Sequence, residues 1–377
     1  MRLGTTQDDL VLADAVARFA AAELEPRAAE IDALSLSATC HRPKLAELGL
    51  MGMNLPEQWG GPGVSAAALL LALVEVSRAC ASTASMLGAH YLGTDSVLIG
   101  GNDEQRARYL PRAASGEWLA GFALTEPRGG SDPADLTTRA VREGDHYHLR
   151  GVKHFISNAG EADFLVVYAK TDAAAGARGI SAFIVDTDTP GVVIGNPEKT
   201  MGIRGGHAFE VALDCRVPVA RRLGDEGKGF RIAMQVLDNG RVDVAATALG
   251  IAEAALAATV AWVRERQVGG EPLATKQGVQ WMVADMKTRL EAAWALTMQA
   301  VVLREAGQRF TQQASIAKLY ASEMVAFVTD AALQLHGGYG FTSELPLERY
   351  ARDARILRIY EGSSEIQRTI VGRGVLG

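Results

Sequence analysis

The chain has 377 residues, 48% of them hydrophobic, which is enough for two or three domains and a sizeable core. Its 44 Asp and Glu against 38 Lys and Arg leave a net charge of −6, which offers no general attraction for nucleic acid or for an acidic lipid surface. Cys40, Cys80 and Cys215 lie far apart and form no Cys-x-x-Cys pair, so neither a disulfide framework nor a zinc site is expected, and a reducing, cytoplasmic setting fits.

The N-terminus has no basic-then-apolar leader and carries Asp8, Asp9 and Asp14, so the chain is expected to start near Met1 without a targeting segment. From Thr5 or Thr6, either able to cap, the pattern Leu10, Val11, Phe19 and Leu24 predicts an amphipathic helix that Pro26 ends. A second helical piece, Lys44 to Leu50, runs into a Gly- and Pro-dense loop through Gly63. Ala66 to Ala79 and Ser82 to Ile99 read as buried helices and Asn102 to Leu110 as a shorter charged one, making residues 1–118 an all-α domain.

At Gly116 the pattern changes. Gly121 to Thr125, His146 to Ser157, Phe164 to Lys170, Ile180 to Asp186, Val192 to Ile194 and Phe209 to Cys215 are short, β-rich and separated by Gly, Pro or Asp clusters. Residues 119–228 are therefore expected to form a small β-barrel or sandwich. From Gly229 longer helices return, over Phe230 to Arg266, Lys276 to Ala306 and Thr311 to Leu335, with a shorter pair after Pro346. Short connections between antiparallel neighbours predict a four-helix bundle for residues 229–377. Val244 to Val263 is nearly uncharged, but it is Ala-rich and carries Glu253, so a helix buried in that bundle is favoured over a membrane span. The fold class is α+β and mostly α.

Four stretches carry chemistry. In Arg358-Ile359-Tyr360-Glu361-Gly362-Ser363-Ser364-Glu365, one carboxylate sits between an aromatic and a glycine, ahead of a serine able to cap the next helix. Desolvated in a cleft, Glu361 would have its pKa raised toward the range of a general base; taken alone, it is an ordinary loop side chain. Gly121-Phe122-Ala123-Leu124-Thr125-Glu126-Pro127-Arg128-Gly129-Gly130-Ser131-Asp132 is a strand entering a turn of small residues that backbone or hydroxyl donors could bring against a ring or phosphate; spacing alone favours a hairpin turn. Gly151 to Ala159 holds Phe155 and Ser157 on a strand where core packing is the default, and His154 lacks the partners of a metal ligand. Gln334-Leu335-His336-Gly337-Gly338-Tyr339-Gly340 reads as a helix stop, and Leu237-Asp238-Asn239-Gly240-Arg241 as a polar helix face.

Together these stretches resemble the acyl-CoA dehydrogenase family over essentially the whole chain, including the unusual order of helical domain, β domain and helical bundle. The resemblance implies α,β-dehydrogenation of an acyl-CoA thioester to the trans-2-enoyl thioester. Glu361 becomes the α-proton base, its backbone N–H helps to polarise the thioester carbonyl, and FAD accepts the hydride. Phe122, Leu124 and Thr125 would lie along the flavin ring, while Gly130 and Ser131 reach the pyrophosphate or the acyl-CoA. Phe155 would pack a flavin face and Ser157 sit at its edge, and Ser363 and Glu365 join the cofactor set. Arg266, Gln277, Gln334 and Gly338 match positions that hold the FAD of a neighbouring subunit. Asp238, Arg241, Tyr360 and Gly362 fall beside the acyl-CoA.

The family's Arg-x-x-Phe-Gly is Arg266-Gln267-Val268-Gly269-Gly270 here, which removes an aromatic wall. A minority of members carry the base at the position of Gly240; glycine there assigns it to Glu361. Electron transfer flavoprotein is the implied electron acceptor and a homotetramer, a dimer of dimers, the implied assembly. An oxidase, a dehydrogenase for carrier-protein thioesters and a non-catalytic paralogue are the competing readings. Pocket volume rather than any motif sets the acyl-chain preference, and a short or medium chain is expected.

Overall fold

A computed structural model describes residues 4–377. The N-terminal helices are α1 (Gln7–Phe19), α2 (Glu25–Leu34), α3 (Arg42–Glu47), α4 (Ala66–Ala79), α5 (Ala81–Gly100) and α6 (Asp103–Ala114). Thr6 caps α1 through a reciprocal box with Asp9: the Asp9 N–H donates to Thr6 Oγ1 at 3.2 Å, and the Thr6 N–H to Asp9 Oδ2 at 2.7 Å. Pro26 does not end this helix. One π-helical turn, Ala20–Leu24, directly precedes Pro26, and the helical run carries on through it into α2 despite the missing N–H.

The β region holds β1 (Ala120–Ala123), β2 (Arg139–Glu143), β3 (His146–Ser157), β4 (Phe164–Lys170), β5 (Ile180–Asp186), β6 (Val192–Pro197), β7 (Ala208–Pro218) and β8 (Arg222–Leu223). The strands run in the order β6-β7-β3-β2-β4-β5-β8, with β1 parallel to β4. β4 is buried on both faces, and strand period assigns its residues to two cores. Phe164, Val166 and Tyr168 pack with Tyr109 and Leu110 of α6, whereas Leu165, Val167 and Ala169 pack with Tyr147, Leu149, Val211 and Leu213 of β3 and β7. The sheet thus encloses one core and lays its other face on the helices. β2 was not expected. Only Ala140 of its five residues is buried, so it lacks the alternating apolar pattern that marks a strand.

The C-terminal region consists of α7 (Gly229–Glu265), a two-stranded hairpin of β9 (Gln267–Val268) and β10 (Glu271–Pro272), then α8 (Gln277–Glu305), α9 (Thr311–His336), α10 (Leu347–Arg355) and α11 (Ser364–Leu376). α7 is long and apolar enough to cross a membrane by composition, and in the structure it packs against α4, α5, α8 and α9. Its alanines and Gly250 let neighbours approach closely: Ser77 Oγ on α4 donates to the Thr247 carbonyl at 2.8 Å.

Candidate active site

Glu361 lies in the turn between α10 and α11 with φ +53, a left-handed conformation that a non-glycine residue holds only when its surroundings impose it. Those surroundings are specific. Buried Lys318 of α9 donates from Nζ to the Gly362 carbonyl at 2.6 Å, and Gln367 Nε2 donates to the carbonyls of Glu361 and Gly362, each at 3.0 Å. Ser363 caps α11, its Oγ accepting from the Ile366 N–H at 3.5 Å. Tyr360 packs against the helical core.

The Glu361 side chain enters the seam between α5 and α7, where Gly240 and Leu92 meet it. Its Oε2 is sealed from solvent and has no hydrogen-bond partner. Burial, reinforced by the negative charge of Asp243 and opposed by Lys318 and Arg241, pushes its pKa up to about 8. Beside it, Arg241 is buried, donates to Asp238 Oδ1 at 2.5 Å and leaves its Nε unpartnered. Asp238 Oδ2 accepts from Thr311 Oγ1 at 2.5 Å.

In the β region, a buried ion pair shapes the turn after β1. Lys153 Nζ donates to the Leu124 carbonyl at 3.0 Å and to Glu126 Oε1 at 2.9 Å, while the N–H groups of Thr137 and Thr138 donate to the Glu126 carboxylate at 2.6 and 2.9 Å. A bulge in β3 between Lys153 and Ile156 turns Phe155 outward, with φ +57 and 61% of its surface exposed. His154 stacks on it at 4.1 Å, donates its N–H to the Thr125 carbonyl at 2.9 Å and pairs through its ring with Glu198 at 2.8 Å. Phe155 and Thr125 are thereby neighbours. Gly130 folds back so closely that a Cβ there would stand 3.2 Å from Thr125 Cγ2, and Ser131 is exposed. Phe122 lies against Tyr168 at 5.0 Å, and Leu124 is buried in the core, where its carbonyl is the group held by Lys153.

A cleft of about 500 Å³ opens at the far end of the bundle, lined by Trp262, Arg266, Gln334, Gly338 and Tyr339 among others. The Arg266 guanidinium lies 5.8 Å from the Trp262 ring and 5.8 Å from the Tyr339 ring. Two aromatic rings, one from α7 and one from the turn after α9, thus flank Arg266 although no phenylalanine follows it.

Family models match three successive parts of the chain: the acyl-CoA dehydrogenase N-terminal domain over residues 6–117, its middle domain over 121–215 and its C-terminal domain over 227–376. The chain belongs to the acyl-CoA dehydrogenase family. It is 44% identical over 379 residues to the acryloyl-CoA reductase (NADH) of Anaerotignum propionicum, covering 100% of this chain and 96% of that one. Its structure matches butyryl-CoA dehydrogenase from Megasphaera elsdenii with a TM-score of 0.97, 38% identity and full coverage of both chains. It matches equally, at 0.97 and 40% identity with full coverage of both, a chain in the structure of the electron transferring flavoprotein of Acidaminococcus fermentans.

Within this acyl-CoA dehydrogenase, the predicted residues fall into three groups. Glu361, Tyr360, Gly362, Asp238 and Arg241 gather at the α5–α7 seam and the turn before α11. Thr125, Gly130 and Phe155 lie together at the turn after β1, Phe122 packs on Tyr168, Ser157 ends β3 opposite Ala208, and Arg266, Gln334 and Gly338 line the far cleft. Gln277 is exposed at the start of α8 and is not among the residues lining that cleft, and Glu365 is exposed in the first turn of α11. Sequence reading missed Lys318, Glu126, Lys153 and Asp243. Lys318 left a trace, a lysine at helical spacing among Ala314, Ala317 and Ala321; the others are defined only by partners far away in the chain.

Proposed function

We propose that this enzyme interconverts a short saturated acyl-CoA and its trans-2-enoyl thioester, with Glu361 moving the α proton. The observation that carries this reading is Glu361 itself: an unpartnered, desolvated carboxylate whose pKa lies near 8, held at a strained φ by three hydrogen bonds that Lys318 and Gln367 donate to its own turn. A base in that state meets a weakly acidic C–H without a shell of water to displace. Asp238 and Arg241, at the same seam, are suited to the polar arm of the thioester, and Arg241 Nε is a buried donor awaiting an acceptor. The likeness to butyryl-CoA dehydrogenase supports a short chain.

The residues present fit FAD. Phe155 is an outward aromatic beside Thr125 and the close Gly130 turn, and the far cleft combines a guanidinium with two aromatic walls and exposed glycines. Thr125, Gly130, Phe155 and Ser157 would hold the flavin end, and Arg266, Gln334 and Gly338 the far end of a cofactor shared with a neighbouring subunit. Bound there, the flavin supplies a two-electron acceptor for the β hydrogen. Exposed Trp281 and Phe341, at 62% and 92%, favour burial in a homo-oligomer, a dimer of dimers by family likeness. The chain in the Acidaminococcus fermentans flavoprotein structure supports electron transfer flavoprotein as the redox partner.

A second reading concerns direction: the likeness to an acryloyl-CoA reductase favours reduction of a short enoyl thioester at the same site. Anaerobic titration of the yellow protein with butyryl-CoA, and of its reduced form with crotonyl-CoA, measures both directions. In the Glu361→Gln variant, flavin binding is expected to persist and bleaching by butyryl-CoA to disappear. Bleaching at the wild-type rate in stopped flow overturns the assignment.

A further inference from the structure

Past Glu361, the α5–α7 seam is not lined as an apolar chain would require. On α7, Asn239, Gly240 and Asp243 share the face toward α5, being three and four residues apart. On α5, Leu92 meets Gly240, and Asp95, three residues on, accepts from Asn239 Nδ2 at 2.7 Å. Asn54 Nδ2 donates to the other Asp95 oxygen at 2.7 Å and to Thr94 Oγ1 at 2.9 Å, while Asn54 Oδ1 is sealed and has no partner. Asp95 is 3% exposed and Asp243 7%.

The two carboxylates differ in one respect. Asp95 is hydrogen-bonded on both oxygens. Asp243 accepts no hydrogen bond from any described residue, and Arg304, the cation whose charge acts on it, makes no ion pair with it. Burial pushes Asp243 up to about 7, with Asp95 reinforcing the shift and Arg304 opposing it, and Asp243 in turn raises Glu361. A largely buried carboxylate with no bonding partner in the protein is an acceptor for a donor that enters the seam.

The reading of Glu361 as the base, on which this inference rests, says what arrives. With the polar arm of the thioester toward Asp238 and Arg241 and the α carbon at Glu361, the chain end continues along α7 toward Asp243, one helical turn beyond Gly240. We propose that the acyl group carries a neutral hydrogen-bond donor, a hydroxyl, a few bonds beyond the reacting carbons, and that Asp243 with the Asp95–Asn54 pair selects it. Arg304 already balances part of the negative charge of the two carboxylates, which favours a hydroxyl over an ammonium.

Two thioesters of equal size test this: 4-hydroxybutyryl-CoA and valeryl-CoA, in which a methyl replaces the hydroxyl. Their dissociation constants, from calorimetry on the holoenzyme, and their kcat/KM with an artificial electron acceptor are compared. The wild type is expected to favour the hydroxyacyl thioester by about 10- to 100-fold in both measures. Asp243→Val is expected to reverse the order, and Asp243→Asn, which keeps the size and shape and serves where the valine variant does not fold, to shrink it several-fold. Equal binding of the two, or a preference unchanged in the Asp243 variants, overturns this inference and leaves the proposed activity standing. Binding of neither thioester overturns both. Turnover of both without preference overturns only the selection by Asp243.

Discussion

The Glu361 carboxylate occupies the space that a side chain at position 240 would need: a Cβ built on Gly240 overlaps Glu361 Oε2 and stands 2.7 Å from Leu92 Cδ2. Position 240 and residue 361 are thus alternatives for one volume between α5 and α7. Gly240→Ala is expected to leave the fold intact while displacing the carboxylate, lowering kcat by about 100-fold, the scale of an ångström-sized misplacement of a reacting group. A wild-type kcat in the alanine variant would show that the carboxylate has room to spare.

Glu361 also links activity to pH with a definite sign. As the proton acceptor it works only when ionised, so kcat/KM for the saturated thioester should climb with pH through about 8 and level off above it. Glu361→Gln should remove that limb along with about 10²- to 10⁴-fold of the rate.

Stability should move the opposite way. The folded state holds on to a proton that an unfolded glutamate releases near 4.5, so the stability Glu361 contributes is full below that value and is lost as pH rises through about 8. The thermal midpoint of Glu361→Gln relative to wild type should therefore increase between pH 5 and pH 9. A constant difference would mean that the carboxylate is solvated.

The buried pair beneath the Thr125 turn offers a test by double variant. Burial alone would raise Glu126, but Lys153 and the hydrogen bonds from Thr137 and Thr138 outweigh it and bring the carboxyl down to about 2. Lys153→Met leaves this carboxylate buried without its cation and should cost about 3–5 kcal/mol in urea unfolding. Adding Glu126→Gln should recover a large part of the loss. A single variant within about 0.5 kcal/mol of wild type would mean that water reaches the site.

What was legible in the sequence follows the range of the interactions. β3 and β4 declare themselves by apolar alternation and by a continuous apolar run, and the helices of the bundle by period and by Gly and Pro stops. Glu361 is singled out through the family resemblance of a short contiguous motif, Tyr-Glu-Gly-Ser, while its burial beside Gly240 is set by packing. Asp243 is not singled out: in Arg-Val-Asp-Val-Ala it reads as one polar residue on a helix, and only the packing of α5 on α7 makes it interior. Glu126 and Lys153 stand 27 residues apart, and neither alone signals a buried pair. Pro26 misled because the helical run carries on through it, directly after one π-helical turn that is invisible in composition.

Arg352 ties the three structural regions together, and its loss should be felt in all of them. Its guanidinium donates to both oxygens of Asp32 on α2 at 2.8 and 2.6 Å, to both oxygens of Glu348 on its own helix at 2.6 and 2.8 Å, and to the Met201 carbonyl in the β region at 3.1 Å. The next residue, Asp353, accepts the Ile203 N–H at 2.5 Å, in a loop where Ile203 is held at φ +49. Asp32 is buried, and removing its forked partner leaves it, among the described residues, only Arg204, 3.9 Å away. Arg352→Met should cost about 3–5 kcal/mol. Arg352→Lys should recover only part of this, because an ammonium is a point donor and does not match two carboxylates and a carbonyl in one plane. Limited proteolysis reports where the loss falls: cleavage is expected to quicken first in the 201–206 loop, which would lose both its Arg352 bond and the alignment of Asp353. An arginine variant that resists the protease as well as wild type does would show that Asp353 alone secures the loop.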